Sequence, residues 1–249
     1  MNALRVYLSF IIGKALPGLF GLVMLFSCSK TDHDLSSSEE YLSSPIHPEH
    51  FPESNYDFSR NPYSTNGFNL GKRLFFDPIL SDDSTISCAS CHHQEYAFSD
   101  AGNKFSEGIN GGVVPKNVPP IFNMAWNERF MWDGGITHLD FVPFAPIINP
   151  LEMGSDLVEV IAKLNRSRSY KQEFKQVFGK DSIDDQQLFF AFSQYMANLV
   201  SYRSDYDSYM NGEKQLKPMA LRGLDIFRAH CASCHQEPLF IDHKFHNNG

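Results

Sequence analysis

The chain has 249 residues, 42% of them hydrophobic and 14% aromatic, and its formal net charge is -8 at pH 7. This acidity argues against nucleic acid as a partner, because the phosphate backbone attracts basic proteins. It also gives no support for binding to an anionic membrane surface, but it is compatible with a basic protein partner.

The N-terminal segment has the pattern of a lipoprotein signal peptide. Residues 1–27 contain Arg5 and Lys14 but no acid, and the uncharged apolar run at 15–26 ends two residues before Cys28. This run is too short to span a bilayer. We therefore expect cleavage before Cys28 and lipidation of its thiol, which would anchor the protein in the periplasm or cell envelope.

The next segment, residues 28–66, is rich in Ser, Pro and acidic residues. Such a composition predicts a solvated tether and an irregular lead-in rather than regular structure. Its histidines, His33, His47 and His50, are predicted to lie at the surface.

Four later stretches have apolar residues at helical spacing. The first is predicted to be capped by Thr65 or Asn66 and stopped by Asp77-Pro78, Ser155 is the predicted cap of the second, and the last should run from about Asp184 to Tyr202. No comparable alternating pattern predicts strands, so the fold is predicted to be mainly α. The apolar positions are Leu70, Leu74 and Phe75; Leu157, Ile161 and Leu164; Tyr170, Phe174 and Phe178; and Leu188, Phe192, Met196 and Leu199.

One pentapeptide, Cys-Ala-Ser-Cys-His, occurs twice, at Cys88–His92 and at Cys231–His235. Two thiols at this spacing can each form a thioether to one haem, and the adjacent histidine can then bind the iron. Redox CxxC and zinc sites are the alternatives, but neither requires a histidine directly after the second cysteine. The motif therefore predicts two covalently bound c-type haems, attached through Cys88, Cys91, Cys231 and Cys234, with His92 and His235 on the irons.

Each pentapeptide follows a short amphipathic stretch, which predicts two tandem cytochrome c-like domains. We expect the first at residues 67–210 and the second at 211–249. Only 14 residues follow His235, and none of them is Met. The second domain is therefore expected to be truncated at the C-terminus, with its second axial ligand outside this chain.

Several motifs in a fixed order resemble the bacterial dihaem cytochrome c peroxidases, a superfamily shared with the dihaem enzyme of methylamine utilisation. The resemblance runs from about Phe51 to the last residue. The motifs that carry it are Leu70–Ser81, Ile86–His92, Ala97–Asp100, Trp132-Asp133-Gly134, Pro146–Met153 and Phe227–His235.

The resemblance implies a peroxidase that reduces hydrogen peroxide to water at the first haem, on His92. Residues 67–210 would form this peroxidatic domain, and residues 211–249 would begin an electron-transfer domain. The haem on His235 would relay electrons from a soluble donor cytochrome c or cupredoxin. Trp132 matches the family's tryptophan between the haems; by residue type alone it would be a core aromatic beside a tight turn.

Two further residues take their roles from the resemblance. Glu152 matches the family's distal acid, which moves protons during peroxide cleavage; without the family it could equally be an acid in the first turn of a helix. Asn117 matches a position that helps to hold calcium between the domains, so it is a candidate calcium ligand.

The sequence also departs from the family. No histidine occurs at residues 94–137, where many members hold a loop histidine on the first iron, so we expect no need for reductive activation. Gly135 and Val142 stand near the usual Arg and Gln. Two other functions stay open: a non-catalytic dihaem electron carrier, and an oxidase of a protein or organic substrate like the methylamine-utilisation enzyme. A homodimer is also left open.

Overall fold

A computed structural model describes residues 44–247, so the predicted signal peptide and Cys28 lie outside the described part of the chain. Within that range the regular structure is helical, with three isolated bridges and no strand. The prediction of a mainly α fold is thus confirmed. The helices are α1 (Thr65–Phe76), α2 (Phe144–Ile148), α3 (Leu157–Arg166), α4 (Arg168–Phe178), α5 (Asp185–Met196), α6 (Asp205–Met210) and α7 (Pro218–His230).

The core is organised around the crossing of α1 and α5. Leu74 and Phe75 of α1 are buried against α5, and nearly all of α5 is inaccessible to solvent. Gly71 lies at the crossing, where a Cβ atom would overlap the carbonyl oxygen of Ala191. The absence of a side chain at Gly71 therefore allows the two helix backbones to approach closely.

The predicted helices form with small changes at their ends. Ser64, rather than Thr65 or Asn66, caps α1, and Asp156 rather than Ser155 caps α3. In both cases a residue one position away has the extended backbone that lets its side chain accept from the first turn. Asp77 ends α1 as predicted.

Helix α5 begins after Asp184, as predicted, but ends at Met196, well before Tyr202. The side chain of Asn198 donates to the carbonyl of Gln194 and accepts from the backbone of Ile46. The chain beyond it then pairs with Asn123, which donates to the Leu199 carbonyl. Two of these three hydrogen bonds join residues that are distant in the sequence, so local sequence cannot reveal where the helix ends.

The lead-in from residue 44 to α1 is irregular but packs on the core. The Phe51 ring lies edge-on to buried Trp126, with 5.1 Å between centroids. His50 is not a surface residue, contrary to the prediction: its side chain is 5% exposed, and its Nε2 lies 2.9 Å from Asp207 Oδ1. A polar partner distant in sequence explains this burial. His33 lies outside the described residues.

A small cluster links α6 and α7 to the chain after the second pentapeptide. Glu237 accepts hydrogen bonds from Tyr206 and from the guanidinium of Arg228, at 2.7–2.9 Å. The Tyr206 and Phe227 rings contact Phe240. The described residues contain no helix that is both long and apolar enough to cross a membrane.

We expect Gly71→Ala to lower the free energy of unfolding by about 1–3 kcal/mol, because the added methyl group must push α1 away from the α5 backbone. Lys72→Ala, on the exposed side of α1, should change it by no more than about 0.5 kcal/mol. Chemical denaturation of both variants measures the difference. Equal stability of the two would contradict a tight crossing at Gly71.

Candidate haem-binding site

The first pentapeptide forms a compact turn. Cys88–Ser90 is a single 3-10 turn, and the amide of His92 donates to the Cys88 carbonyl at 2.9 Å. Ser87 and Ser90 cap each other across this turn. The backbone thus brings two thiols and an imidazole to one short segment, as the sequence motif requires.

The His92 ring is held by a hydrogen bond from its Nδ1 to the carbonyl oxygen of Phe98, at 2.7 Å. Because a carbonyl can only accept, Nδ1 carries the proton and Nε2 keeps a lone pair available for a metal. Burial lowers the pKa of His92, although the bond to Phe98 opposes this effect. The neutral, oriented imidazole is the form that binds iron.

The second pentapeptide repeats this geometry. His235 donates its backbone amide to Cys231 at 3.0 Å, and its Nδ1 lies 3.1 Å from the Phe240 carbonyl oxygen. Phe98 and Phe240 share a positive φ, at 58° and 59°. None of the four cysteines of the described chain forms a disulfide.

A cavity of about 680 Å³ lies beside the first pentapeptide. Its wall is largely apolar and includes the proline-rich segment at 115–120. A ligand the size of a cofactor suits such a volume. Cys88, Cys91, His92, Asn117, Trp132 and Glu152 all line it, whereas Cys231, Cys234 and His235 do not.

Glu152 enters this cavity from the turn after α2. The Nδ2 atom of Asn149 donates to its Oε1 at 2.8 Å, which fixes the carboxyl group. Burial raises the pKa of Glu152, and the bond from Asn149 opposes the rise. A fixed carboxyl group with a raised pKa in a cavity has the properties of a general acid or base.

Trp132 lies at the rim of the cavity with 58% of its surface exposed, so it is not a core aromatic. Its Nε1 donates to the backbone carbonyl of Asn117 at 2.7 Å. The Asn117 side chain in turn donates to the Lys104 carbonyl at 2.6 Å. The buried tryptophan of the core is Trp126 instead.

The turn that carries Trp132 also touches the chain after the second pentapeptide. Gly134 has a φ of 67°, and the Phe245 ring occupies the place where its Cβ would stand. Residues that follow His235 therefore lie against the turn that lines the first cavity.

Two of the departures from the family pattern fall in this cavity. Gly135 and Val142 line it, as does Arg129, whose Nη1 lies 3.5 Å from the Gly134 carbonyl oxygen. A cationic side chain is thus present at the rim even though position 135 has none.

Sequence reasoning missed the groups that hold the predicted site residues. The carbonyls of Phe98 and Phe240 orient the two histidines, and Asn149 orients Glu152. One signal was available: both pentapeptides are followed by Phe-x-Asp, at Phe98–Asp100 and Phe240–Asp242. The bond from Asn149 to Glu152 spans only three residues, but no sequence motif predicts the side-chain geometry on which it depends.

The residues fit a covalently attached haem. The cavity supplies two thiols, an imidazole with a free Nε2 and an apolar wall, which is the donor set of c-type attachment. The fold and this site define the class of helical c-type haem proteins.

Comparison with known proteins shows which family of c-type haem proteins the chain belongs to. A family profile described as di-haem cytochrome c peroxidase matches residues 65–215. The methylamine utilization protein MauG of Methylophilus methylotrophus is 34% identical over 76% of this chain and 58% of its own. Cytochrome c peroxidase Ccp of Escherichia coli is 34% identical over 80% and 43%. The chain belongs to the di-haem cytochrome c peroxidase family, which implies two c-type haems.

A solved structure supports the same fold. The crystal structure of a MauG-like protein associated with microbial copper homeostasis superposes with a TM-score of 0.71 at 30% identity, covering 81% of this chain and 61% of that one. The chain spans about half the length of the curated relatives it matches.

Replacing Cys88 and Cys91 together with Ser should reduce covalently bound haem from two per chain to one, because thioether bonds need both sulfurs at this turn. The same double change at Cys231 and Cys234 should also leave one. Pyridine haemochrome absorbance per chain, after acid-acetone extraction, measures the number. Two retained haems in either variant would contradict the assignment.

Proposed function

We propose that this protein is a dihaem peroxidase that reduces hydrogen peroxide at the first haem, with Glu152 as the acid and base. The observation that supports it best is the position of Glu152. It lines the same cavity as Cys88, Cys91 and His92, and its carboxyl group is half-buried and fixed by Asn149.

The reaction is H₂O₂ + 2e⁻ + 2H⁺ → 2H₂O, so it needs electrons and a group that moves protons. A haem held by Cys88, Cys91 and His92 would supply the redox chemistry. Glu152 would accept a proton from the peroxide and return it to the oxygen that leaves as water. Burial raises the pKa of Glu152, so its carboxyl group holds a proton to a higher pH than an exposed glutamate does.

The walls of the cavity support the same chemistry. Ile121, Phe130 and Phe192 are buried members of the core that also line the cavity. Such apolar walls limit water and strengthen electrostatic interactions within. A proton on Glu152 is therefore exchanged with the substrate more readily than with bulk solvent.

Electrons would arrive from a donor cytochrome c or cupredoxin through the second haem on His235. Trp132 is the proposed stepping stone, because its side chain lines the first cavity while its turn contacts Phe245, beyond His235. This arrangement supports a path from residues 211–249, the proposed start of the electron-transfer domain, to the peroxidatic domain at 67–210.

The remaining proposals concern anchoring, calcium and assembly. Lipidation of Cys28 after removal of residues 1–27 would anchor the protein in the periplasm or cell envelope. Asn117 remains a candidate calcium ligand through its side-chain oxygen, and a homodimer remains open.

A second candidate is oxidation of a protein or organic substrate, as in the methylamine-utilisation enzyme. Two observations favour keeping it: a MauG protein is 34% identical to this chain, and Trp132 is exposed enough to exchange electrons with a partner surface. Peroxide consumption with reduced cytochrome c as donor supports the peroxidase. Peroxide consumption that requires a protein substrate instead supports the second candidate.

Glu152→Gln should lower peroxide turnover by about 10²–10⁴-fold, because the amide cannot exchange protons. Haem content should stay at two per chain. Glu128→Gln, an exposed acid outside the cavity, is the matched control and should retain full turnover. Steady-state oxidation of a reduced donor cytochrome measures the rates.

The pH dependence gives an independent check on Glu152. A raised pKa keeps the carboxyl group protonated to a higher pH. As the pH is lowered, activity that needs the carboxylate should therefore be lost at a pH above the usual carboxyl range. This acidic limb should vanish in Glu152→Gln. Full turnover in that variant, or an unchanged limb, would remove Glu152 from the mechanism.

Trp132→Phe should slow electron transfer between the haems, because phenylalanine is much harder to oxidise than tryptophan. Phe141→Leu is the control, since Phe141 is equally exposed, at 57%, but does not line the cavity. Rapid-mixing spectra of the half-reduced protein give the rate. An unchanged rate in Trp132→Phe would exclude Trp132 from the path.

A further inference from the structure

Both attachment turns have a buried carboxylate at the same place. Asp100 and Asp242 each follow by two residues the phenylalanine whose carbonyl holds the histidine ring. Their side chains are only 8% and 5% exposed. A buried carboxylate needs a local reason, because burial disfavours its charge.

Asp100 is held by three neighbours. Ser106 Oγ donates to its Oδ2 at 2.5 Å, Asn103 Nδ2 donates to its Oδ1 at 2.9 Å, and His93 Nε2 lies 3.7 Å away. Burial opposes ionisation, but these hydrogen bonds outweigh it and hold the pKa of Asp100 below its usual range. The group is therefore a fixed negative charge at neutral pH.

This charge lies beside the first attachment turn. Ser106, whose Oγ donates to Asp100, lines the same cavity as Cys91 and His92. His93, which lies 3.7 Å from Asp100, is the neighbour of His92 in the chain. The charge of Asp100 would therefore act on a haem attached at this turn. Glu152 also lines that cavity, so two carboxylates bear on the first site, in surroundings where charges are weakly screened.

Asp242 stands in the same relation to the second turn. One of its carboxylate oxygens lies within 4.8 Å of Cys234 Sγ. Here, however, its partners are closer than His93 is to Asp100: His246 Nε2 lies 2.8 Å away, and the backbone amide of Lys244, whose side chain is cationic, donates to Asp242 at 3.0 Å. The negative charge beside the second turn is thus partly offset.

We propose that Asp100 and Asp242 are charges that set the reduction potentials of the two haems, and that Asp100 lowers the potential of the first haem more than Asp242 lowers that of the second. Reduction, Fe³⁺ + e⁻ → Fe²⁺, removes one positive charge from the iron centre. A fixed carboxylate nearby stabilises the oxidised form and makes reduction harder. The inference rests on the proposed two-haem function and would make the first haem the harder of the two to reduce.

The test is a spectroelectrochemical titration of the haem-loaded, full-length protein. Asp100→Asn keeps the shape of the side chain and removes its charge, so the midpoint of the first haem should move to a more positive value. Asp242→Asn should raise the second midpoint by a smaller amount. Glu95→Gln, an exposed acid in the same loop as Asp100, should leave both midpoints in place.

A merely structural role gives a different pattern. Ser106→Ala removes a hydrogen bond to Asp100 but keeps the charge, so no positive shift is expected. If Ser106→Ala shifts the first midpoint as far upward as Asp100→Asn, loosening of the loop is the cause and the proposal fails. An unchanged midpoint in Asp100→Asn with both haems attached also overturns it.

The outcome does not depend on peroxide turnover. If Asp100→Asn fails to take up the first haem, the shift in Asp242→Asn decides the question, and its absence counts against the proposal. Shifted midpoints in a protein that does not reduce peroxide would keep this inference and overturn the peroxidase proposal instead.

Discussion

The hydrogen bond between His92 and the Phe98 carbonyl is the interaction on which the site depends. It fixes the ring, places the proton on Nδ1 and leaves Nε2 free for iron on the cavity side. The carbonyl can point at the ring because Phe98 has a positive φ, a conformation that the surrounding turn must stabilise. Every role proposed for Glu152 and Trp132 assumes a haem held in this orientation.

The repeated turn connects the chemistry to the fold. Gly71 lets α1 approach α5, which buries Phe75 beside the first attachment turn and forms one wall of the cavity. The two turns are locally alike, yet their charges differ: Asp100 and Glu152 near the first, Asp242 with Lys244 and His246 near the second. The two pentapeptides would thus attach haem in the same way, while the different charges nearby would give the two haems different reduction potentials.

The sequence was sufficient for the parts that depend on local pattern. Helical periodicity gave α1, α3, α4 and α5, and the pentapeptides gave the attachment turns. It failed where distant residues decide the outcome: Ile46 and Asn123 bond to the chain just after α5, which ends early, and Asp207 buries His50. The roles of Glu152 and Trp132 came from family resemblance, because a single acid or tryptophan carries no pattern of its own.

The central claim is that the cavity beside His92 is where peroxide accepts two electrons, one from each haem. Stopped-flow titration of the fully reduced, full-length protein with hydrogen peroxide tests it most directly. One equivalent of peroxide should oxidise both haems, with the first reacting before the second. Reduced spectra that stay unchanged on mixing would contradict the account and leave only an electron carrier.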